Sequence, residues 1–318
     1  MTSSSVAEIA ARIDENVQRV IRGKPELVRL AIAGLLAEGH LLIEDVPGLG
    51  KTTLARCLAR SIGGQWSRIQ FTPDLLPSDI TGVTVYQQKD EKFTFHPGGV
   101  FANIVVADEI NRGTPKTQSA LLEVMAERRV TVDATGHDVP RPFLVIATQN
   151  PIELAGTYRL PEAQLDRFLM RLSVGYPDLD SEVQVMMGDC AGVTADDLSA
   201  VVDVEALREA IAEVRTSHLD RAVYEYAARL TAATRDHAAV RFGASVRGSI
   251  ALVRTAQALA AIVDRSFVTP DDIKEVAVPV LAHRLVLTPE AEINRRSSAD
   301  IVADLLDSTP APAASAAR

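Results

Sequence analysis

Residues 40–53 read HLLIEDVPGLGKTT, and this stretch predicts the fold of the first half of the chain. A short apolar run is followed by a turn rich in proline and glycine. The apolar residues beyond the turn have the spacing of one helix face, and they are Leu54, Leu58 and Ile62. A strand, a glycine-bearing loop and a helix in this order are the context of a phosphate-binding loop.

The loop also carries the residue types that phosphate binding needs. Gly48 and Gly50 have no Cβ, so backbone N–H groups can wrap a polyphosphate. The helix N-terminus at Thr52 adds a partial positive charge. Lys51 can reach the β- and γ-phosphates, and the Thr52 hydroxyl can ligate Mg²⁺. The other loop residues that we expect at the nucleotide are Pro47, Leu49 and Thr53.

One position departs from the pattern G-x-x-x-x-G-K-[ST]. Its first glycine would fall at residue 45, where this chain has Asp45. Because that glycine starts the turn and does not touch phosphate, we expect an altered start of the loop with binding retained. An ordinary glycine-rich turn between a strand and a helix is the alternative interpretation.

Length and composition indicate a globular chain of one large domain or two. It has 318 residues, of which 47% are hydrophobic and 24% are charged. The formal net charge of −9 argues against a dedicated nucleic-acid binder. Two cysteines give no disulfide framework, and the six histidines lack ligand spacing. No apolar run has the length of a membrane span and no secretion signal is visible, so we expect a cytoplasmic protein.

A second group of chemical residues follows the apolar run 104–107. Such a run fits a strand buried on both faces of a parallel sheet, and the C-terminal ends of these strands are where ligands bind. Asp108 can hold Mg²⁺, and Glu109 can polarise a water for attack on a phosphate. Two acids after a strand are also common in solvated loops, but the loop at Lys51 makes that interpretation the weaker one.

Two further candidates lie downstream of these acids. The strand predicted at 143–147 leads to Asn150, which could contact the γ-phosphate or the attacking water. The segment 160–168 places Arg167 near the end of a helix, where it could reach the nucleotide of a neighbouring subunit. A plain surface salt bridge is the alternative for Arg167.

The N-terminal region is predicted to be helical. Ser5 and Glu8 form a capping box before an apolar helix face. This helix leads to Ile21 and Gly23 and then to a second helix around 27–36. Both helices could pack over a nucleotide base, and simple core packing is the equal alternative.

Two hairpins are predicted within the first half. The first lies in residues 83–96, with its turn at 89–91. The second is formed by 129–133 and 138–142, separated by 134–136. From about residue 179, strand-like runs stop and alanine-rich amphipathic helices follow at 204–215, 219–236, 245–263 and 270–285. The expected division is an α/β core at 1–178, a helical domain at 179–306 and a disordered tail at 307–318.

The motifs together resemble those of the MoxR-type AAA+ ATPases. They are DVPGLGKT, VVADEINRGTPKTQSALLEVMAE, ATQNP, LPEAQLDRF, FGASVRG and VTPDDI, in this order. The resemblance implies an AAA+ P-loop NTPase core with a parallel sheet, followed by an all-α lid domain. It also implies site roles, which are Lys51 and Thr52 in Walker A, Asp108 and Glu109 in Walker B, Asn150 as sensor 1, Arg167 as arginine finger and Arg247 as sensor 2. Because FGASVRG departs from the usual family pattern, Arg254 is an alternative sensor 2.

The resemblance further implies how the protein works. ATP and Mg²⁺ would bind between the core and the lid, and Arg167 would act on the adjacent subunit of a hexameric ring. The two hairpins would line the pore of that ring. The output would be remodelling of a protein client or insertion of a metal cofactor, with a von Willebrand factor A-domain protein as partner.

Other classes of function stay open at the level of sequence. One is a nucleotide-dependent interaction switch with little turnover. Another is a nucleic-acid motor like the minichromosome-maintenance helicases, against which stand the acidity and the lack of an added DNA-binding domain. A magnesium-chelatase-like role cannot be separated from chaperone work by sequence. If Arg167 does not act between subunits, Arg171 is the next candidate.

Overall fold

The computed structural model describes residues 5–46, 48–150, 156–190, 192 and 194–312. Its centre is a parallel five-stranded sheet. The strands of this sheet are β1 (Leu41–Glu44), β2 (Trp66–Gln70), β5 (Ile104–Asp108), β8 (Leu144–Gln149) and β9 (Met170–Leu172). They lie in the order β2-β5-β8-β1-β9. The α/β class predicted from the sequence is confirmed.

The central strands are hydrophobic because helices cover both faces of the sheet. Every residue of β5 is buried, as is all of β8 except Gln149. The polar side chains of these two strands, such as Asp108 and Gln149, lie at their C-terminal ends. The C-terminal ends of β1, β5 and β8 therefore form one polar edge.

Helices flank the sheet and make up most of the second half of the chain. The helices of the first half are α1 (Val6–Gln18), α2 (Pro25–Leu36), α3 (Lys51–Ser61), α4 (Pro77–Thr81), α5 (Pro115–Glu127) and α6 (Glu162–Leu165). Those of the second half are α7 (Leu179–Cys190), α8 (Val204–Val214), α9 (Arg221–Asp236), α10 (Val246–Ile262), α11 (Pro270–Leu281), α12 (Pro289–Ile293) and α13 (Ser298–Ser308). The predicted capping box of Ser5 and Glu8 is present at α1. Among the described residues, none of the helices combines the length and apolarity that a bilayer crossing requires.

Both predicted hairpins form, the second in a different register. The first consists of β3 (Val83–Gln87) and β4 (Lys92–His96), and the second of β6 (Arg129–Val132) and β7 (Thr135–Asp138). The prediction of a second strand at 138–142 was wrong, because the turn lies at Asp133 and Ala134. Both turn residues have positive φ, as in the two-residue turns that match the twist of a hairpin.

The lid helices share a buried core with the N-terminal helices and with one face of the sheet. Ile13 on α1, Leu35 on α2 and Leu259 on α10 belong to the same cluster. A second cluster fills the opposite face of the sheet and includes Phe71 and Phe143. The lid is thus held against α1 and α2, and this attachment determines where its charged residues lie.

Three short features differ from the sequence prediction. Strand β9 was missed, and so was a two-stranded sheet of β10 (Val240–Phe242) and β11 (Val286–Leu287) within the helical lid. Strands of two or three residues are too short to show an alternating pattern. Helix α13 ends at Ser308 and so includes the first two residues of the expected tail.

Candidate active site

The loop between β1 and α3 has a backbone that faces open space. Gly48 has φ 84° and Gly50 has φ 79°, values in the left-handed region that favours glycine. A Cβ added at either glycine would meet no atom within 4 Å. The loop backbone can therefore be approached closely by a polyanion. Pro47, which the sequence predicts at the nucleotide, lies outside the described residues.

Lys51 and Thr52 begin helix α3 directly after this loop. The Lys51 ammonium donates to the carbonyl oxygens of Asp45, of Val46 at 3.2 Å and of Gln149 at 3.3 Å. The Thr52 hydroxyl instead donates to Asp108 Oδ1 at 2.8 Å. These contacts hold the ammonium beside the loop and the hydroxyl beside the acidic end of β5.

Asp108 is buried at the end of β5 and accepts three hydrogen bonds. Besides Thr52, its donors are Thr148 Oγ1 at 3.1 Å and Arg68 Nε at 2.7 Å. Its side chain is 4% exposed, so the ion pair with Arg68 offsets the cost of a buried charge. Sequence reasoning missed Arg68 and Thr148. They lie on β2 and β8, the two neighbours of β5, and only the strand order brings them together.

Glu109 follows Asp108 in a left-handed conformation, with φ 54° and ψ 49°. Its Oε2 accepts from Gln70 Nε2 at 2.9 Å and from Arg112 Nη1 at 3.1 Å. Its backbone N–H donates to Thr148 Oγ1 at 3.0 Å. The side chain is 37% exposed, so the carboxylate can be reached by water.

Asn150 completes the group predicted at the phosphates. It follows β8, is 5% exposed and accepts at its carbonyl from Asn111 Nδ2 at 3.1 Å. A cavity of about 350 Å³ brings together five of the predicted residues, which are Lys51, Thr52, Asp108, Glu109 and Asn150. Gly48, Gly50 and Thr53 line it as well.

An adjoining cavity of about 440 Å³ extends from the same loop toward the N-terminal helices. Predicted residues in its lining are Ile21, Gly48, Leu49, Gly50 and Thr53. Leu27, Val174 and Val185 add apolar surface suited to a flat base, and Arg19 and Arg22 add positive charge. Gly23, which the sequence also predicts at the nucleotide, is not in this lining; a Cβ there would lie 1.9 Å from Ser181 Oγ.

Asp45 has a structural role that the glycine pattern did not reveal. Its carboxylate accepts from Ser173 Oγ and from Gly175 N, both at 2.7 Å, and from Val46 N at 2.8 Å. Burial opposes ionisation of Asp45, but these hydrogen bonds outweigh it and lower its pKa. The side chain therefore ties the start of the loop to the chain beyond β9.

Arg167 and Arg247 do not lie at the loop of Lys51. They line a separate cavity of about 530 Å³, which we call the arginine pocket. Its arginines are Arg128, Arg167, Arg215, Arg247, Arg254 and Arg284, and its carboxylates among the described residues are Glu38 and Asp166. Arg247, which the resemblance implies as sensor 2, thus lies away from Lys51 of the same chain, because α10 packs on α1 and α2.

The charges of the arginine pocket are unevenly balanced. Glu38 accepts from Arg128 Nη1 at 2.8 Å and from Arg215 Nη2 at 2.5 Å. Burial lowers the pKa of Arg254, and the nearby charges of Arg215 and Arg128 lower it further. Arg167 donates to the carbonyl of Leu122 at 2.5 Å. Six guanidinium groups face two carboxylates among the described residues, an arrangement that favours an incoming anion.

The two alternative arginines fall in different places. Arg254, the alternative to Arg247, lines the arginine pocket. Arg171, the alternative to Arg167, lies on β9 and forms an ion pair with Glu44 Oε2 at 2.9 Å.

Comparison with known proteins agrees with this geometry. Residues 40–170 match the family described as "ATPase family associated with various cellular activities (AAA)", and residues 232–305 match the AAA lid domain. The chain is similar to the uncharacterized protein YeaC of Bacillus subtilis, with 47% identity over 94% of this chain and 93% of the relative. It is 43% identical to Chaperone MoxR1 of Mycobacterium tuberculosis, over 93% of this chain and 80% of that protein. The crystal structure of a candidate ATPase from Cytophaga hutchinsonii superposes with a TM-score of 0.90 at 37% identity, over 97% of this chain and 96% of that one.

A parallel sheet, a glycine-bearing loop before Lys51 and two acids at the end of β5 define a P-loop ATPase of the AAA class, here with a helical lid. Within that class the chain belongs to the MoxR family.

Proposed function

We propose that this protein binds ATP and Mg²⁺ at the loop of Lys51 and hydrolyses the nucleotide only when assembled. One observation carries the proposal. The groups for binding ATP and activating water surround one cavity, whereas Arg167 and Arg247 line another. A second copy of the chain would bring the two cavities together.

The loop and Lys51 would bind the phosphates. The loop N–H groups and the start of α3 supply donors and partial positive charge. Lys51 would exchange its contacts with loop carbonyls for the β- and γ-phosphates. The base would lie in the adjoining cavity beside Ile21 and Leu27.

The residues around Asp108 fit Mg²⁺. The ion prefers oxygen ligands, and Thr52 Oγ1 and Asp108 Oδ1 lie 2.8 Å apart at the cavity. When bound there, Mg²⁺ would neutralise charge on the phosphate oxygens. Arg68 pairs with Asp108 through Oδ2, and a bound cation would take over part of this charge neutralisation.

Glu109 would act as the general base. Its partly exposed carboxylate can take a proton from the attacking water once Oε2 is released from Gln70 and Arg112. Asn150, on the same cavity, would orient that water or the γ-phosphate.

Arg167 would stabilise the charge that develops on the phosphate of the adjacent subunit. An arginine supplied between subunits in this way contributes about 10³–10⁵ in rate. Arg247, in the same pocket, would act on the same neighbour. We expect the assembly to be a hexameric ring.

The output of this cycle is proposed to be chaperone work on a protein client. The relative from Mycobacterium tuberculosis is named a chaperone, which supports this class of output. We further propose a von Willebrand factor A-domain protein as partner, remodelling or metal-cofactor insertion as the task, and the cytoplasm as location. A pull-down with Glu109→Gln, which should hold ATP without turnover, would identify the client.

Mixing two inactive variants tests the proposal. Lys51→Ala should lose ATP binding, and Arg167→Ala should bind ATP but lose turnover. Mixed assemblies contain interfaces that pair the intact loop of one variant with the intact Arg167 of the other. ATP hydrolysis should return on mixing. Arg208→Ala is the matched control, because its arginine forms an ion pair with Glu205 on the same helix, outside both cavities, and it should leave turnover unchanged. If co-assembled mixtures regain nothing, Arg167 does not act between subunits.

A further inference from the structure

Asp166 connects the two arginines that we place at the neighbouring nucleotide. It directly precedes Arg167 in the core. Its Oδ1 accepts from Arg284 Nε at 2.9 Å, and its Oδ2 accepts from Ser245 Oγ at 2.9 Å. Both donors belong to the lid. The side chain of Asp166 is 18% exposed and that of Arg284 is 3% exposed, so the ion pair is largely shielded from water.

Arg284 also binds the backbone on the other side of Arg167. It donates to the carbonyl of Phe168 at 2.5 Å and to that of Leu169 at 3.3 Å. Burial lowers the pKa of Arg284 to about 10, the carboxylate of Asp166 opposes that shift, and the nearby charge of Arg247 adds to it. One lid guanidinium therefore fixes the chain both before and after Arg167.

Ser245 links the same carboxylate to Arg247. It is the N-cap of α10, and its Oγ accepts from the backbone N–H of Arg247 at 3.1 Å. The Asp166 contact thus fixes the first turn of α10, which carries Arg247. Two oxygens of one carboxylate set the positions of an arginine on the core and an arginine on the lid.

We propose that Asp166, Arg284 and Ser245 form a clamp that positions Arg167 and Arg247 for action on the neighbouring subunit. The inference rests on the proposed function, since the clamp has no catalytic consequence unless these arginines act between subunits. A stabilising role alone explains the geometry poorly, because a buried ion pair is often no more stable than an apolar replacement. Its directional bonds instead specify position, and a displacement of about 1 Å at a catalytic group can cost about 10²-fold in rate.

Asp166→Asn tests the clamp, because it keeps the size of the side chain and removes its charge. Turnover of this variant should fall by about 10- to 100-fold with KM for ATP changed little, since the loop of Lys51 is untouched. The matched control is Asp272→Asn in the lid. Asp272 is similarly buried and binds Arg265 through two hydrogen bonds of 2.6 and 2.7 Å, away from the arginine pocket. The control should lose stability but keep turnover within about threefold.

Mixing shows on which side of the interface Asp166 acts. A mixture of Asp166→Asn and Lys51→Ala should regain activity. At some interfaces the Lys51→Ala subunit supplies an intact clamp, and the Asp166→Asn subunit supplies an intact loop at Lys51. The double variant Lys51→Ala/Asp166→Asn should fail to rescue Arg167→Ala. Lys51→Ala/Asp272→Asn should rescue it. Light scattering would verify co-assembly in each mixture.

The outcomes separate the clamp from the proposed function. If Arg167→Ala is rescued by Lys51→Ala but Asp166→Asn is not, the clamp is wrong and action between subunits stands. If Arg167→Ala is not rescued, the proposed function fails. Normal turnover in Asp166→Asn would also overturn the clamp.

Should Asp166→Asn not fold, Ser245→Ala decides the question in the same mixtures. It removes the hydrogen bonds of Ser245 Oγ to Asp166 and from the Arg247 N–H, and it should lower turnover by about 3- to 10-fold. Its matched control is Ser297→Ala, which removes the N-cap of α13 and should leave turnover unchanged. Equal effects of the two substitutions would overturn the clamp.

Discussion

Glu109→Gln separates nucleotide binding from hydrolysis. The amide cannot take a proton from water, so a general-base contribution of about 10²–10⁴ in rate should be lost. At about 1.36 kcal/mol for each factor of ten, the barrier should rise by about 2.7–5.4 kcal/mol. The amide oxygen can still accept from Gln70 or Arg112, and the backbone bond of 3.0 Å to Thr148 is unaffected. The cavity should therefore keep its shape, and affinity for ATP with Mg²⁺ should change by less than about threefold.

Single-turnover hydrolysis and titration with a fluorescent ATP analogue would measure the two effects separately. Glu44→Gln is the matched control, because it makes the same chemical change at the end of β1, which is separated from β5 by β8. Glu44 is half-buried and paired with Arg171 at 2.9 Å, outside the cavity at Lys51. The turnover of Glu44→Gln should stay within about twofold of the wild-type value. Loss of ATP binding in Glu109→Gln would make Glu109 a structural or metal-holding residue, and unchanged turnover would exclude it as the base.

Three further changes probe the loop and its acids. Lys51→Ala should abolish ATP binding in the same titration, because the loop loses the side-chain charge aimed at the phosphates; retained binding would refute the loop assignment. Asp45→Asn should lower the melting temperature near neutral pH. The deficit should shrink as pH falls from the ordinary Asp value of 3.8 through the depressed pKa of Asp45, below which the wild-type carboxyl is also protonated. A deficit that grows in acid would contradict the depressed pKa. Arg68→Ala should lower the free energy of unfolding by about 1 kcal/mol without Mg²⁺, since Arg68 is half-exposed. Added Mg²⁺ with an ATP analogue should reduce that loss if Asp108 holds the cation, and an unchanged loss in thermal melts would argue against it.

The P-loop half of the site was predictable because its signals are local. A strand, two glycines and Lys51 follow one another within a few residues, and the acids at 108 and 109 end a strand that hydrophobicity alone reveals. Parallel strands place these ends at one edge of the sheet. The structure adds only their distances to one another. It also confirms the fold class that the motifs implied.

What sequence could not supply depends on strand order and on packing between distant elements. Arg68 reaches Asp108 because β2 lies beside β5, a pairing that no local pattern encodes. The turn of the β6–β7 hairpin was misplaced because its two residues, Asp133 and Ala134, have positive φ although neither is glycine. Asp166 and Arg284 are 118 positions apart, and each alone has the appearance of a surface charge.

The attachment of the lid determines which nucleotide its movements affect. Helix α10 packs against α1 and α2, and Ser245 at its start is bound to Asp166. Arg247 consequently lies beside Arg167, away from Lys51. A shift of α10 would move Arg247 while leaving the side chains around the phosphate cavity in place. In the proposed ring, this part of the lid would therefore control hydrolysis on the neighbouring subunit, whereas the release of Glu109 from Gln70 would control it within the same subunit. Each nucleotide of the proposed ring would then be subject to two separate controls, one from each subunit at the interface.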